Sequence, residues 1–206
     1  MLIVNAHPPP TLKERMTFEE FLALDDETTM SEWVDGEVIM MSPAAERHQE
    51  LILFLAQTLG LYVQVHNLGR ILLPPFAMKL EKGRRGREPD LIFVSRDRTH
   101  LIQRTYLDGP ADLAVEIVSP ESIGRDRGEK FVEYERAGIR EYWLIDPDRE
   151  TAEFYELGAD GRYRAAATES DGVFRSKVIA GFFMRLPWLW QTPSPALVAL
   201  RELKLI

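Results

Sequence analysis

The six residues Leu113-Ala114-Val115-Glu116-Ile117-Val118 are apolar at every position but Glu116. A run of this kind, without polar alternation, fits a strand covered on both faces, in the middle of a sheet rather than at its edge. The next thirty residues narrow the topology further. From about Asp126 to Ala137 the chain places Phe131, Tyr134 and Ala137 at helical spacing, Gly138 offers a stop, and Glu141-Tyr142-Trp143-Leu144-Ile145-Asp146 returns as a strand. A helix that crosses over between two strands makes those strands parallel. The expectation is an α/β chain with a mixed sheet and helices packed against it.

Upstream, Thr17-Phe18-Glu19-Glu20-Phe21-Leu22 predicts a short helix with Thr17 as N-cap and Glu20 closing a capping box. Residues 1–30 are otherwise read as a peripheral segment, extended at Pro8-Pro9-Pro10. Glu32-Trp33-Val34 and Glu37-Val38-Ile39-Met40-Met41 flank Asp35-Gly36, the signature of a tight hairpin over residues 31–42. Leu51, Leu55 and Thr58 with Ile52 and Leu59 mark a core helix from Glu46 to about Gln57, with Gly60 as its stop. Arg70 to Leu80, around Pro74-Pro75, and Leu91-Ile92-Phe93-Val94 read as strands, so the order through residues 44–147 is α-β-β-β-α-β. Beyond Pro147, segments around Phe154, Tyr163 and Val173-Phe174 predict added antiparallel strands, separated by the turns at Gly158-Ala159-Asp160-Gly161 and Asp171-Gly172. With no internal repeat or linker, residues 1–206 are read as a single domain.

Composition excludes several chemistries. The chain has no cysteine, which rules out disulfides, zinc–thiolate sites and a cysteine nucleophile and fits a cytoplasmic setting. The N-terminus lacks the basic start of a signal peptide, and no run approaches the roughly 20 apolar residues that span a bilayer, so no membrane partner is expected. The net charge of -8 is unevenly placed: residues 1–50 carry 3 Lys and Arg against 11 Asp and Glu, and the remainder carries 22 of each. Where charge concentrates, it bears on partners. Lys82, Arg84, Arg85 and Arg87 crowd the turn leading to Asp90, and this basic patch is either a solvated hairpin loop or a surface that holds nucleic-acid phosphates without reading sequence.

Glu116 needs a partner, because a lone carboxylate in such a strand costs several kcal/mol. Either a salt bridge or a solvated strand end compensates it, or it is a metal ligand or acid–base group at the carboxyl end of a central strand. Asp90, just before Leu91-Ile92-Phe93-Val94, would alone be a turn residue. Two acids at the edges of adjacent buried strands can together hold magnesium, with water and a substrate phosphate completing its octahedron. Lys130, beside Glu129 and Glu133, has the spacing of a solvated helix residue. A glycosidase pair made of Asp90 and Glu116 needs no metal, but Trp33, Trp143, Trp188 and Trp190 do not cluster near those acids in sequence to form a sugar platform.

The ordered series Glu88-Pro89-Asp90, Val115-Glu116-Ile117-Val118-Ser119-Pro120, Asp126, Lys130, Tyr134, Gly138 and Glu141-Tyr142-Trp143-Leu144-Ile145-Asp146-Pro147 resembles the Uma-two family of restriction-endonuclease-like proteins, a branch of the PD-(D/E)XK nuclease superfamily. The likeness extends to Glu32-Trp33-Val34-Asp35-Gly36-Glu37, His48 and Ser176-Lys177-Val178-Ile179-Ala180-Gly181, covering roughly residues 15–190. The resemblance implies a restriction-endonuclease-like core and an endonuclease that hydrolyses DNA phosphodiester bonds with Mg2+, for which Mn2+ substitutes. It implies metal ligands at Asp90 and Glu116. The superfamily's lysine stands two residues after the strand acid, where this chain has Val118, so the resemblance moves that role to Lys130 on the next helix. His48 matches a family position that could orient substrate or a metal-bound water, or it is an ordinary core or surface histidine. A nuclease fold that binds nucleic acid without turnover is the alternative. Phe182-Phe183-Met184 with Trp188-Leu189-Trp190 is either core or the interface of a homodimer.

Overall fold

The computed structural model describes residues 15–24, 31–40, 43–80 and 85–206, so the expectations at Pro8-Pro9-Pro10, Lys82 and Arg84 lie outside the described residues. Helix α1 (Phe18–Leu24) starts at its capping box: the Thr17 amide donates to Glu20 Oε2 at 2.7 Å and the Glu20 amide to Thr17 Oγ1 at 3.2 Å. Strands β1 (Ser31–Val34) and β2 (Glu37–Met40) close a hairpin at Asp35 and Gly36, with φ of 48° and 91° as a primed two-residue turn requires. Helix α2 (Glu46–Val65) does not stop at Gly60. Its buried stripe continues through Tyr62 and Val63, and their burial outweighs the roughly 1 kcal/mol that a helical glycine costs.

The segment from Arg70 to Leu80 forms two strands, β3 (Gly69–Leu72) and β4 (Ala77–Leu80), which belong to different sheets and are joined through a cis Pro74-Pro75 bond. The basic stretch expected as a turn contains a strand, β5 (Arg85–Arg87). Then come β6 (Leu91–Ser95), a 3-10 turn at Arg96–Leu101, β7 (Tyr106–Leu107) and β8 (Leu113–Ile117). The crossover helix opens as a π-helical stretch, Arg125–Lys130, and continues as α3 (Phe131–Ala137), which Gly138 ends at φ 84°. Strands β9 (Glu141–Asp146), β10 (Thr151–Leu157), β11 (Tyr163–Ala165), β12 (Val173–Arg175) and β13 (Phe183–Arg185) come next, then α4 (Leu186–Trp190) and α5 (Ala196–Glu202).

Six strands form the main sheet in the order β11-β10-β9-β8-β6-β3, with β8 and β9 parallel as the crossover demands. The α-β-β-β-α-β core is thus α2, β3, β6, β8, α3 and β9. A second sheet, β2-β1-β5-β4-β7, stands beside it, and β12 pairs with β13. Helix α1 is not peripheral: Phe18 and Phe21 are buried with Trp33 and Ala77 against the second sheet.

Alternation along the central strands sorts the core into two layers. Leu113, Val115 and Ile117 pack with Leu51, Phe54, Leu55 and Leu59 of α2. Ala114 and Val118 turn the other way, toward Tyr134 of α3 with Ile92, Val94, Tyr142 and Leu144. Glu116 shares that second face by the same period of two. Phe182, Met184, Trp188 and Leu189 of that apolar tail are buried in the α2 layer, with Phe183 and Trp190 partly buried against it. Each such large side chain contributes about 1.5–3 kcal/mol when fully removed from water.

Candidate functional site

Antiparallel pairing sets Leu91 of β6 opposite Val115 of β8. Asp90 directly precedes β6 and Glu116 directly follows Val115, so both carboxylates sit at this end of the strand pair, and both line the same cleft. The Ile117 amide donates to Asp90 Oδ2 at 2.6 Å, which fixes that carboxylate against the end of β8. His48, from the first turn of α2, places Nε2 3.3 Å from the same oxygen. Burial resists charge on this imidazole, but the hydrogen bond and the negative charge of Asp90 outweigh it and raise the His48 pKa.

The stretch Arg125–Lys130 brings Asp126 and Lys130, four residues apart, onto the inner side, and both are buried. Stretches of π-helix recur at functional sites. Lys130 Nζ lies 3.0 Å from Glu116 Oε2, 2.9 Å from Glu32 Oε1 and 3.4 Å from Asp126 Oδ1. The Tyr134 hydroxyl, one helical turn on, donates to Glu116 Oε1 at 2.7 Å. One ammonium therefore serves three carboxylates. Burial works against the charge on Lys130, but Glu116, Glu32 and Asp126 push its pKa far up, so it is an ammonium and not a base. Glu116 also moves up, well above the usual carboxylate range: burial dominates, Lys130 opposes it, and Asp126, Asp90 and Glu32 add to it. Asp126 shifts upward for the same leading reason, again against the pull of Lys130. The two partners' shifts agree once the surplus is recognised: negative charge exceeds positive here, and the cluster attracts a further cation or a proton.

These groups line a cleft of about 350 Å³ whose walls include His48, Asp90, Glu116, Asp126 and Lys130, with Arg47 and Arg125 also contributing. A larger hollow of about 730 Å³ between α2 and β3 has no carboxylate or histidine in its lining and holds none of this chemistry.

The structure thus brings Asp90, Glu116, Lys130 and His48 together, and of the basic patch it describes Arg85 and Arg87, neither of which lines the cleft. Arg87 is fully buried and is no surface contact for phosphate. Its Nη1 donates to Glu32 Oε2 at 2.8 Å, while Nε and Nη2 both reach Glu133 at 2.8 Å. Arg85 is also engaged, with Glu133 at 3.2 Å and with Asp35. The reason is β5, whose pairing with β1 and β4 makes residues 85–87 part of a sheet. Sequence reasoning gave no site role to Glu32, Asp126 or Tyr134; their signal was membership of the motif series, to which Tyr134 adds only the helical spacing of an inner-side residue.

The sequence matches, over residues 18–187, the family Uma2, described as "Putative restriction endonuclease". A search of curated proteins gave no match. Among solved structures the chain is similar to a crystal structure of "a putative nuclease belonging to DUF820" from Anabaena variabilis, with a TM-score of 0.70 and 19% identity over 85% of this chain and 97% of that one. At that identity the likeness speaks for the fold.

Proposed function

The chain belongs to the Uma2 family of restriction-endonuclease-like proteins, and from that premise we propose that it is a divalent-metal-dependent endonuclease hydrolysing DNA phosphodiester bonds in the cleft between Asp90 and Lys130. The observation that carries the reading is the Lys130 ammonium 3.0 Å from a buried Glu116 that lines one cleft with Asp90. The residues fit a hard cation. Their donors are carboxylate oxygens, the cluster has surplus negative charge, and Glu116 is raised by that crowding as well as by burial. Among the described residues no three His, Asp or Glu side chains converge as a protein-only metal cage. Magnesium is commonly held in this way, by one or two carboxylates plus water and substrate phosphate.

Asp90 and Glu116 would hold the cation, which when bound supplies Lewis-acid polarisation of the scissile phosphate. The Lys130 ammonium is placed to stabilise the negative charge that grows on the phosphate oxygens as water adds and the P–O bond breaks. His48 orients Asp90 through Nε2. Tyr134 fixes Glu116 Oε1 and leaves Oε2 to Lys130.

The test is cleavage of plasmid and single-stranded DNA in Mg2+ and in Mn2+, with calorimetry of Mn2+ binding to the wild type, Asp90→Ala and Glu116→Ala. Cleavage that needs the metal, and affinity lost in both variants, is the expected result. Unchanged affinity in Glu116→Ala would remove the site, and metal binding without cleavage of any DNA would leave a nucleic-acid-binding module on a nuclease fold.

A further inference from the structure

We propose that Glu32, on the hairpin of the second sheet, is a positioning residue that holds the Lys130 ammonium at the proposed cleavage site, so that this hairpin belongs to the working machinery. The reaction it serves rests on the nuclease reading above; the positioning itself rests on geometry. Glu32 is fully buried, and its two oxygens serve two different cations: Oε1 lies 2.9 Å from Lys130 Nζ and Oε2 accepts from Arg87 Nη1 at 2.8 Å. Arg87 cannot swing away to satisfy itself elsewhere, because Glu133 grips its guanidinium through both oxygens at 2.8 Å. Glu32 is therefore held from behind while it holds Lys130.

Lysine needs such restraint. Its four-carbon stem is flexible and its head is a point charge without the fixed fork of arginine. Lys130 Nζ stands within 3.4 Å of three carboxylates: Glu116 from β8, to which it donates a hydrogen bond, and Asp126 from its own helical stretch and Glu32 from the second sheet, with which it pairs by charge. Glu116 and Asp126 both line the cleft where substrate and cation would compete for them. Glu32 is absent from that lining, so its grip on Lys130 persists when the other two carboxylates are engaged.

The decisive variant is Glu32→Gln, which is nearly isosteric but has one acceptor oxygen for two cations and turns an amide NH2 toward the other. The measurements are DNA cleavage kinetics, Mn2+ affinity by calorimetry and the 15N-detected ammonium signal of Lys130, whose buried protons we expect to exchange slowly in the wild type. We expect kcat to fall about 10- to 100-fold, as for other residues that orient a catalytic group, with KM and Mn2+ affinity kept and the ammonium signal lost or displaced. In a Lys130→Met background Glu32→Gln should cost no further rate, because the two substitutions remove one function. A wild-type rate and an unchanged ammonium signal in Glu32→Gln overturn the proposal, as does an equal extra loss in the Lys130→Met background, the mark of a purely structural role. If Glu32→Gln does not fold, Glu32→Asp keeps both oxygens on a shorter stem, and a wild-type rate there overturns it equally. If the wild type cleaves nothing while the ammonium signal still depends on Glu32, the nuclease reading fails and the positioning of Lys130 stands.

Discussion

Lys130 carries its charge inside the fold, with its ammonium among the carboxylates of Glu116, Glu32 and Asp126. Beside Glu129 and Glu133 it has the pattern of a solvated helix face, yet Asp126, Lys130, Glu133 and Tyr134 form the buried side of the crossover helix while Val132 is exposed. Periodicity finds a face; it cannot say that a charged face turns inward when the facing sheet offers carboxylates and an arginine. Glu116 was legible because its neighbours are apolar, and Asp90 because it repeats the pattern one strand earlier. Their meeting depends on strand register, which composition does not encode. Substituting Lys130 by alanine should reduce cleavage about 100- to 1,000-fold, as for loss of one preorganised charge contact. It should also destabilise the metal-free protein by about 3–5 kcal/mol, because three buried carboxylates lose their shared cation. Urea unfolding with and without Mg2+ checks the second effect, and cleavage assays on the folded variant check the first. A variant with wild-type cleavage would put Lys130 outside the mechanism.

Among the elements, the central strands and the crossover were legible because they obey simple periods, whereas α2 ran past its expected stop and β5 went unseen because both are decided by tertiary burial. Glycine at position 60 is a weak stop beside the buried Tyr62 and Val63, and a three-residue strand rich in arginine carries no strand signal of its own. The starts of β8 and β9 are tied to the end of β6 by Asp112, which accepts from the Ser95 amide at 2.7 Å, Arg98 Nη1 at 2.8 Å and Arg140 Nη2 at 2.6 Å. Burial would raise the Asp112 pKa, but the Ser95 hydrogen bonds and Arg98 outweigh it and hold the carboxyl below its usual 3.8. A pKa depressed by folding adds stability above the unfolded value, and that stability disappears as pH falls through the native one. Asp112→Asn should therefore be less stable than wild type at neutral pH, with the gap closing as pH drops below about 3.8. Chemical denaturation across pH 2.5 to 7 measures it; a gap independent of pH would mean that the charge of Asp112 contributes nothing.

For the molecule as a whole, the uneven charge makes the acidic N-terminal region look dispensable. The fold divides that region. Phe18 and Phe21 of α1 are core residues of the second sheet, and Glu32 beyond them holds Lys130. Deleting residues 1–28 removes Phe18 and Phe21, uncovers Trp33 and Ala77 and should lower both thermal stability and cleavage. Melting curves and cleavage rates of the truncation and the full chain decide this, and equal behaviour would return α1 to the periphery. The second sheet meets the crossover helix at the site through a seam of ion pairs, Arg87 with Glu133 and Glu32 with Lys130, and each sheet has its own buried indole, Trp33 in one and Trp143 in the other. Light can therefore report on each sheet separately. A chain that keeps Trp33 as its sole tryptophan emits from the small sheet, and one that keeps Trp143 emits from the large. Red shifts at the same urea concentration mean one cooperative unit, whereas an earlier shift from Trp33 means that the hairpin detaches first and takes the grip on Lys130 with it.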